Sequence, residues 1–251
     1  MKLPLWAIAL IRKAFPSRFF LSRLTKRFPA FARLIDFTLF RGDHITYLPN
    51  NRTIAIKQEV AKPENVALPA SAIEHFIDKA GSLVVLNSCI CRESAGCRNH
   101  PIDLGCLFMG DAVSNINPKL ARPVSKQEAR EHLRRAEDAN LIFLIARNHI
   151  DTLWTGARPG TKLLTVYFCC DCCCLWKALP YISDTIAARV NKLPGIQIAV
   201  NDNCVGCGKC TEGCCFADAI AVENSRAVID DNCRGCGRCV TVCPNNALDL
   251  H

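Results

Sequence analysis

The feature that most constrains this chain is a pair of cysteine-rich runs near its carboxyl end. Each run contains three cysteines placed three residues apart with further cysteine close behind: Cys204, Cys207, Cys210, Cys214 and Cys215 in the first, and Cys233, Cys236, Cys239 and Cys243 in the second. The intervening glycines are Gly206, Gly208, Gly235 and Gly237. A glycine-rich loop of this kind turns backbone N–H groups toward sulfur and presents three of the four thiolates that an iron-sulfur cube needs. The spacing therefore indicates iron-sulfur cluster binding.

Both runs have similar flanks. Short apolar segments at 196–200, 219–222, 227–229 and 247–250 predict a strand on either side of each cysteine loop. Disulfides or zinc explain the runs poorly, because zinc ligands are normally divided between CxxC pairs far apart in sequence. Residues 196–251 instead resemble the bacterial two-cluster 4Fe-4S ferredoxin module. In such a module the cysteine before a proline, here Cys243, binds the other cluster, which implies interlocked halves.

The first run leaves two candidates for its last ligand. Cys215 lies four residues before the strand predicted at 219, as Cys243 does before the strand at 247, whereas Cys214 has the more usual motif spacing. Strand registry fixes where a side chain points and favours Cys215, with Cys214 as the alternative. The resemblance then implies two ligand sets: Cys204, Cys207, Cys210 and Cys243 for one cluster, and Cys233, Cys236, Cys239 and Cys215 for the other.

Two further groups of cysteines lie upstream, and each follows a predicted strand. The strand at 83–86 leads into Cys89, Cys91, Cys97 and Cys106, and the strand at 162–168 leads into Cys169, Cys170, Cys172, Cys173 and Cys174. Since sites collect at the carboxyl ends of strands, we expect the two strands to end side by side and the two loops to meet. The first group is sufficient for a candidate third cluster. The second cannot all bind one cube, because adjacent side chains of an extended segment point in opposite directions, so it supplies additional or shared ligands.

The upstream motifs widen the resemblance. A CxCR motif at 89–92, a CC-x-CCC run at 169–174 and the module at the carboxyl end together are similar to a family of uncharacterised 4Fe-4S binding proteins of anaerobic bacteria, over residues 45–251. The resemblance implies cluster binding and electron transfer with a redox partner protein or oxidoreductase complex. Arg92, Arg98 and His100 lie among the upstream cysteines, where they would stabilise the negative charge added on reduction.

Two functions of different classes follow from these motifs. In the first, the chain is an electron carrier or an electron-transfer subunit. In the second, it is an oxidoreductase of the thiol or disulfide reductase type, in which a redox-active cysteine pair beside the upstream cluster receives electrons from the module. The sequence contains no GxGxxG loop, phosphate-binding loop or acid–base pair, which favours the carrier, although the excess of upstream cysteines favours the enzyme. No catalytic residue is assigned; His149 and Asp151 are interpreted as structural.

Charge and cysteine content give expectations for location. A chain of 251 residues does not need disulfides for stability, so eighteen cysteines indicate thiolates in a reducing compartment, and we expect a cytoplasmic protein. Residues 1–35 contain eight basic residues and no acidic one, which accounts for the whole net charge of +8. Their interleaved phenylalanines and the breaks at Pro4, Pro16 and Pro29 predict a helical arm. The arm is too short in apolar length to span a membrane. It either contacts a partner or the inner face of a membrane, or folds back on its own domain; nucleic acid is not an expected partner.

The predicted fold class is α+β with three parts: a basic helical arm at 1–40, a cysteine-rich α/β-type domain at 41–193 and a two-cluster ferredoxin domain at 194–251. Expected elements include helices at 71–79, 125–140 and 175–192, the last broken at Pro180, and strands at 53–56 and 141–146. We expect the ferredoxin domain to dock near the upstream loops with its first cluster facing them.

Overall fold

The computed structural model describes residues 4–49 and 69–251. The predicted strand at 53–56 lies outside them. Helices and strands alternate irregularly around a mixed sheet, which confirms the α+β class. The helical segments, including short 3-10 and π turns, and the strands are the following, in chain order: α1 Leu5–Ala14, 3-10 Phe15–Ser17, α2 Arg18–Arg27, α3 Pro29–Ile35, π Asp36–Phe40, β1 His44–Leu48, α4 Pro69–Lys79, β2 Leu83–Leu86, α5 Ile90–Ser94, β3 Leu107–Met109, 3-10 Asp111–Asn115, β4 Ala121–Pro123, α6 Lys126–Asp138, β5 Ile142–Arg147, α7 His149–Thr155, 3-10 Gly160–Lys162, β6 Leu164–Cys169, 3-10 Leu175–Tyr181, α8 Asp184–Ala187, β7 Val190–Lys192, β8 Ile198–Val200, β9 Ile220–Glu223, β10 Arg226–Ile229, α9 Arg238–Val242 and β11 Leu248–Leu250.

Within the described residues the upstream domain is built on a seven-stranded sheet with the order β4-β2-β3-β6-β5-β1-β7. All neighbours are antiparallel except β1 and β7, which are parallel. The prediction that β2 and β6 lie side by side is wrong, because β3 lies between them. Both strands are antiparallel to β3, so they run in the same direction and end at the same edge of the sheet.

The strand between them also contributes to this edge. Because β3 runs in the opposite direction, its first residue, Leu107, lies at the edge where β2 and β6 end, and Cys106 comes directly before it. The loops after β2 and β6 and the start of β3 therefore meet at one place. Tertiary pairing of three strands brings together cysteines that are far apart in sequence.

Helices cover the two faces of the sheet. On one face α4 and α6 bury Ile73, Ile77 and Leu133 against Phe143 and Phe168. Helix α6 begins with the predicted capping box, in which the Ser125 side chain accepts from the Glu128 backbone N–H and the Glu128 side chain accepts from the Ser125 backbone N–H. The other face packs against the 3-10 segment Leu175–Tyr181 and the end of the arm at Phe40. Coverage of both faces explains why β2 and β6 consist almost wholly of buried apolar residues.

The arm folds back on the upstream domain. Arg12 on α1 pairs with Glu93 at 2.7 Å, and the Lys26 ammonium on α2 donates to the Pro180 carbonyl at 3.0 Å. Its outer face leaves large apolar side chains exposed, among them Trp6, Phe20 and Phe37. None of the described helices combines the length and the apolar character that crossing a membrane requires.

The segment predicted as a helix at 175–192 with a break at Pro180 is divided further. It forms the 3-10 segment, the short α8 and the strand β7, and β7 joins the sheet beside β1. Pro180 prevents a continuous helix, because it has no N–H to donate and its ring displaces the preceding turn. This segment connects the sheet to the module.

The module at the carboxyl end contains two antiparallel strand pairs, β8 with β11 and β9 with β10. These strands lie within a residue or two of the predicted ones. Ile220, Ala227, Val240 and Leu248 form a small core with Cys210. The expectation that the first cluster faces the upstream loops is wrong: the second cysteine set does, because Cys236 packs with Cys169 and Cys174, and Arg238 beside it pairs with Asp171 at 2.7 Å.

Candidate metal centres

The first cavity of the module is lined by four cysteines. Three come from the first run and one from the second: Cys204, Cys207, Cys210 and Cys243. The Cys204 thiol accepts from the Ala227 N–H and the Cys243 thiol from the Ala247 N–H, both at 3.3 Å. The resemblance to a two-cluster ferredoxin module implies these same four cysteines for one cluster.

The second cavity has the reciprocal composition, three cysteines of the second run and one of the first: Cys233, Cys236, Cys239 and Cys215. The Cys215 thiol accepts from the Ala219 N–H at 3.3 Å, four residues further on, as Cys243 does from Ala247. Cys214 is not part of this lining; its thiol donates to the Cys210 carbonyl at 2.9 Å, and burial raises its pKa to about 11. The geometry thus favours Cys215 over Cys214 as the cysteine directed into the cavity.

The loops that carry these thiols depend on glycine at two equivalent turns. Gly206 and Gly235 have φ of +67° and +64°, a conformation that L residues with a Cβ rarely adopt. At Gly206 a Cβ would also lie 2.6 Å from the Ser225 backbone. The turn at Gly235 directs its own N–H toward the Cys233 thiol at 3.5 Å. Backbone N–H groups directed at sulfur stabilise the negative charge of bound thiolates.

The CC-x-CCC run is not an extended segment, because residues 171–173 form a turn. Because of this turn, the cysteines of the run point in two different directions. Cys170, Cys172 and Cys173 lie together with Cys97, and all four sulfur atoms are within 4.8 Å of one another. We call this set the outer group. Cys169 and Cys174 point away from it, and their sulfur atoms lie 2.9 Å apart.

Cys169 and Cys174 belong to a second upstream set, the inner group, together with Cys89, Cys91 and Cys106. Cys91 lies within hydrogen-bonding reach of Cys89 and Cys174. Burial raises the pKa of Cys106 well above its ordinary value, and the negative charge of a neighbouring Cys89 thiolate raises it further. Burial also raises the pKa of Cys169 to about 11. Thiols this close together resist ionisation until a cation supplies the missing positive charge, so the inner group fits a metal or cluster ligand set.

This division differs from the prediction that Cys89, Cys91, Cys97 and Cys106 form one set. Cys97 is separated from the other three and lies with the outer group, because the chain turns away after α5: the Cys97 N–H donates to the Arg92 carbonyl at 2.9 Å. The CC-x-CCC run contributes cysteines to both groups, and its role as a source of additional or shared ligands stays a prediction.

A completely buried arginine lies between the two groups. Arg92 has no exposed surface; its guanidinium donates to the Phe168 carbonyl at 2.8 Å and to the Leu104 carbonyl. Burial opposes its charge, but the thiols of Cys89 and Cys170 outweigh burial and raise its pKa. A buried cation is stabilised by nearby negative charge, so Arg92 would favour the thiolate form of the surrounding cysteines. Arg98 on the same loop is exposed.

Asp171, within the turn, connects the outer group to the module. His100 Nε2 lies 3.2 Å from one of its oxygens, and the Arg238 guanidinium donates twice to the other at 3.0 and 2.7 Å. The hydrogen bond with His100 and the charge of Arg238 hold the pKa of Asp171 well below its usual range. Arg238 follows Cys236 closely in the second cysteine loop, so a chain of ionic contacts joins the two cysteine regions.

Tyr47 on β1 is a residue that sequence reasoning missed. Its side chain is fully buried, packs edge-on against Phe216 of the module with ring centroids 5.8 Å apart, and its hydroxyl has no hydrogen-bond partner among the described residues. Burial raises its pKa well above the ordinary value, with the thiols of Cys174 and Cys236 adding to the effect. Tyr47 thus lies between the inner group and the second cavity. An isolated tyrosine in a strand gives no sequence signal for such a position.

The interpretation of Asp151 as structural agrees with its contacts. Its carboxylate accepts from Thr165 at 2.7 Å, Tyr167 at 2.6 Å and Trp154 at 3.1 Å. It is buried, and burial raises its pKa. His149, whose backbone N–H donates to Asp43 at 2.7 Å, begins α7. Asp151 therefore ties α7 to β6 behind the cysteine site.

Taken together, cavities lined by cysteine, N–H groups directed at sulfur and a buried arginine among thiols define the class: an iron-sulfur-binding protein. A scan of protein families agrees, because the model described as the LdpA Fe-S cluster-binding domain matches residues 212–251. The matched residues include the whole second run and the Cys214–Cys215 pair of the first. No curated protein and no solved structure matches the chain.

Proposed function

We propose that this chain is an iron-sulfur electron-transfer protein with two 4Fe-4S clusters in the module and a further cluster in the inner group. The observation that carries the proposal is the exchange of ligands between the two runs: each cavity takes three cysteines from one run and its fourth from the other. This exchange is expected of paired clusters. A disulfide or zinc framework gives no reason for it.

Bound clusters accept and release single electrons. The chain's part is to hold them rigidly and to set their potentials. Interlocked ligands fix the spacing between the two module cavities, because neither run can move without displacing a thiolate of the other cluster. N–H donors at Ala219, Ala227 and Ala247 stabilise the charge that reduction adds to the thiolates they contact.

The contact between the regions supports a route from the module to the inner group. The second cavity faces the upstream domain, and Cys236 packs in the same apolar cluster as Cys169 and Cys174. Tyr47 lies within that cluster. A dry, packed connection of this kind favours electron transfer, since few solvent dipoles must reorganise. The physiological counterpart of such a chain is a redox partner protein.

A second candidate rests on the 2.9 Å separation of the Cys169 and Cys174 sulfurs. In an oxidoreductase of the thiol and disulfide type, this pair would form a disulfide on losing two electrons and two protons, and clusters would carry the electrons one at a time. Burial of both thiols favours the carrier, because a substrate disulfide needs access to the attacking sulfur.

Reconstitution of the full chain with iron and sulfide under oxygen-free conditions tests the proposal. We expect about eight irons with matching acid-labile sulfide for the module clusters and about twelve with the inner one, at four irons per cluster. Cys91→Ser should remove about four irons and leave the low-temperature electron paramagnetic resonance signals of the reduced module. Iron-free protein after reconstitution would refute the proposal. Full iron content in Cys91→Ser together with loss of a reversible two-electron thiol couple would support the oxidoreductase instead.

A further inference from the structure

The outer group is more compact than a cluster site. Cys97 and Cys172 have sulfur atoms 3.5 Å apart, and those of Cys172 and Cys173 are 3.4 Å apart. Four thiolates around one tetrahedral ion with Zn–S bonds of about 2.3 Å lie about 3.8 Å from one another. Thiolates of a cube bind four separate irons at its corners and must lie further apart. Among the described residues, ligand atoms lie within 4.8 Å of one another in this set and in an overlapping set of His100, Asp171 and Cys172, but in neither of the module sets.

The local backbone also prepares the outer group for anionic sulfur. The Cys173 N–H donates to the Cys170 thiol at 3.3 Å. The Cys97 sulfur likewise has the backbone N–H of Asn99 as a hydrogen-bond donor. N–H groups directed at sulfur stabilise the negative charge of bound thiolates.

Cations approach the outer group from two sides. Arg92 interacts with Cys170 from the interior, and Arg18 of the arm donates to the Cys173 carbonyl at 3.4 Å from the outside. Four thiolates and one divalent ion leave a net charge of about −2, which two arginines match. Part of the basic arm therefore has a role within the fold.

We propose that Cys97, Cys170, Cys172 and Cys173 bind a single tetrahedral divalent ion, Zn²⁺ or Fe²⁺, separate from any iron-sulfur cluster. Such a closed four-thiolate site is structural. It would fasten the loop after α5 to the turn at 171–173 and thereby fix Asp171 in the position where it pairs with Arg238 of the module. The proposal adds a metal site to the function proposed above and does not depend on it.

Elemental analysis of the full chain, purified and reconstituted without oxygen, tests the proposal. Cys172→Ser is the main variant, because Cys172 is the exposed member of the group and its replacement is compatible with folding; Cys97→Ser is the second. Cys214→Ser, outside all four cysteine sets, is the matched control. Each outer-group variant should lose about one zinc or iron ion per chain and no acid-labile sulfide, and the control should lose neither. Loss of four irons with four sulfides would overturn the proposal, as would unchanged metal content.

Cobalt provides a readout that does not involve clusters. Co²⁺ added to chain from which the outer ion has been removed should give the visible bands of a tetrahedral thiolate complex, and Cys172→Ser should abolish them. Bands of equal intensity in the variant would contradict the assignment. The paramagnetic signals of the module are recorded on the same samples. Absence of cobalt bands would count against the single-ion site, whereas absence of the paramagnetic signals would count against the proposed clusters.

Discussion

The module and the upstream region both bring sets of cysteines together, but they do so in different ways. In the module each cysteine set comes from two short runs of sequence. The sulfur atoms there accept hydrogen bonds mainly from backbone N–H groups, and the loops turn at glycines with positive φ. Upstream the sets come from loops that a seven-stranded sheet brings together, and the surroundings include the charged side chains Arg92 and Arg18. A local motif can specify the first kind of site. The second exists only after the domain has folded, so the two should respond differently to substitution.

The largest expected effect concerns the adjacent cysteines of the module. Cys215→Ser should remove about four irons per chain, because Cys215 lines the second cavity, whereas Cys214→Ser should leave the iron content unchanged. Iron and sulfide analysis of the two reconstituted variants measures the difference. If Cys214→Ser loses the cluster and Cys215→Ser keeps it, the strand registry that relates the two halves does not determine the ligand.

Arg92 tests the dependence of the upstream region on side-chain charge. Arg92→Met should destabilise the chain by about 3–5 kcal/mol, since it removes a buried cation and leaves its partners unsatisfied. Upstream metal should be lost while the module keeps its iron. Arg98→Met, in the same loop but exposed, is the control. Denaturant unfolding and metal analysis give the two readouts; equal stability of the two variants would show that the thiols do not need the buried charge.

Gly206 tests the dependence of the module on backbone conformation. Gly213→Ala introduces a side chain at φ +71° in open space and should cost about 1–2 kcal/mol. Gly206→Ala has a similar φ and a Cβ 2.6 Å from the Ser225 backbone, so it should cost more and reduce iron in the first cavity. Unfolding midpoints and iron content compare them. Equal losses of stability in the two variants would mean that the close approach of the Gly206 loop to the Ser225 backbone is not required.

The smallest effect concerns the pH dependence of the sheet that supports the upstream region. Burial raises the pKa of Asp43 to about 7, in a setting that includes Arg189, Asp36 and Asp151. Because the folded state keeps a proton that the unfolded chain has released, the free energy of unfolding should fall as pH rises from about 4 to about 7. Asp43→Asn should flatten this slope. Unfolding curves at several pH values check it, and an unchanged slope would exclude Asp43 as its source.

The same contrast explains what the sequence could reveal. The module's strands follow from local sequence patterns, and the reciprocal cysteine sets follow from strand registry together with the resemblance to a two-cluster ferredoxin module. The partition of the upstream cysteines could not be obtained in this way. It depends on β3 lying between β2 and β6, on a turn that separates Cys169 and Cys174 from Cys170, Cys172 and Cys173, and on the reversal that sends Cys97 outward. Each results from packing between distant segments. The orientation of the module toward the upstream domain involves an ionic contact between Arg238 and Asp171. The spacing of residues in the sequence gives no indication of this contact.

The position of the arm has a consequence for assembly. Helices near the amino end leave the ribosome first, yet the surface that receives Arg12 and Arg18 is made by Ser88, Glu93 and Cys173, which are synthesised later. Docking of the arm therefore follows folding of the loops after β2 and β6. On the function proposed above, iron and sulfide would reach the upstream cysteines before that step or from the side that the arm leaves uncovered, and the docked arm would then limit the access of oxygen to them.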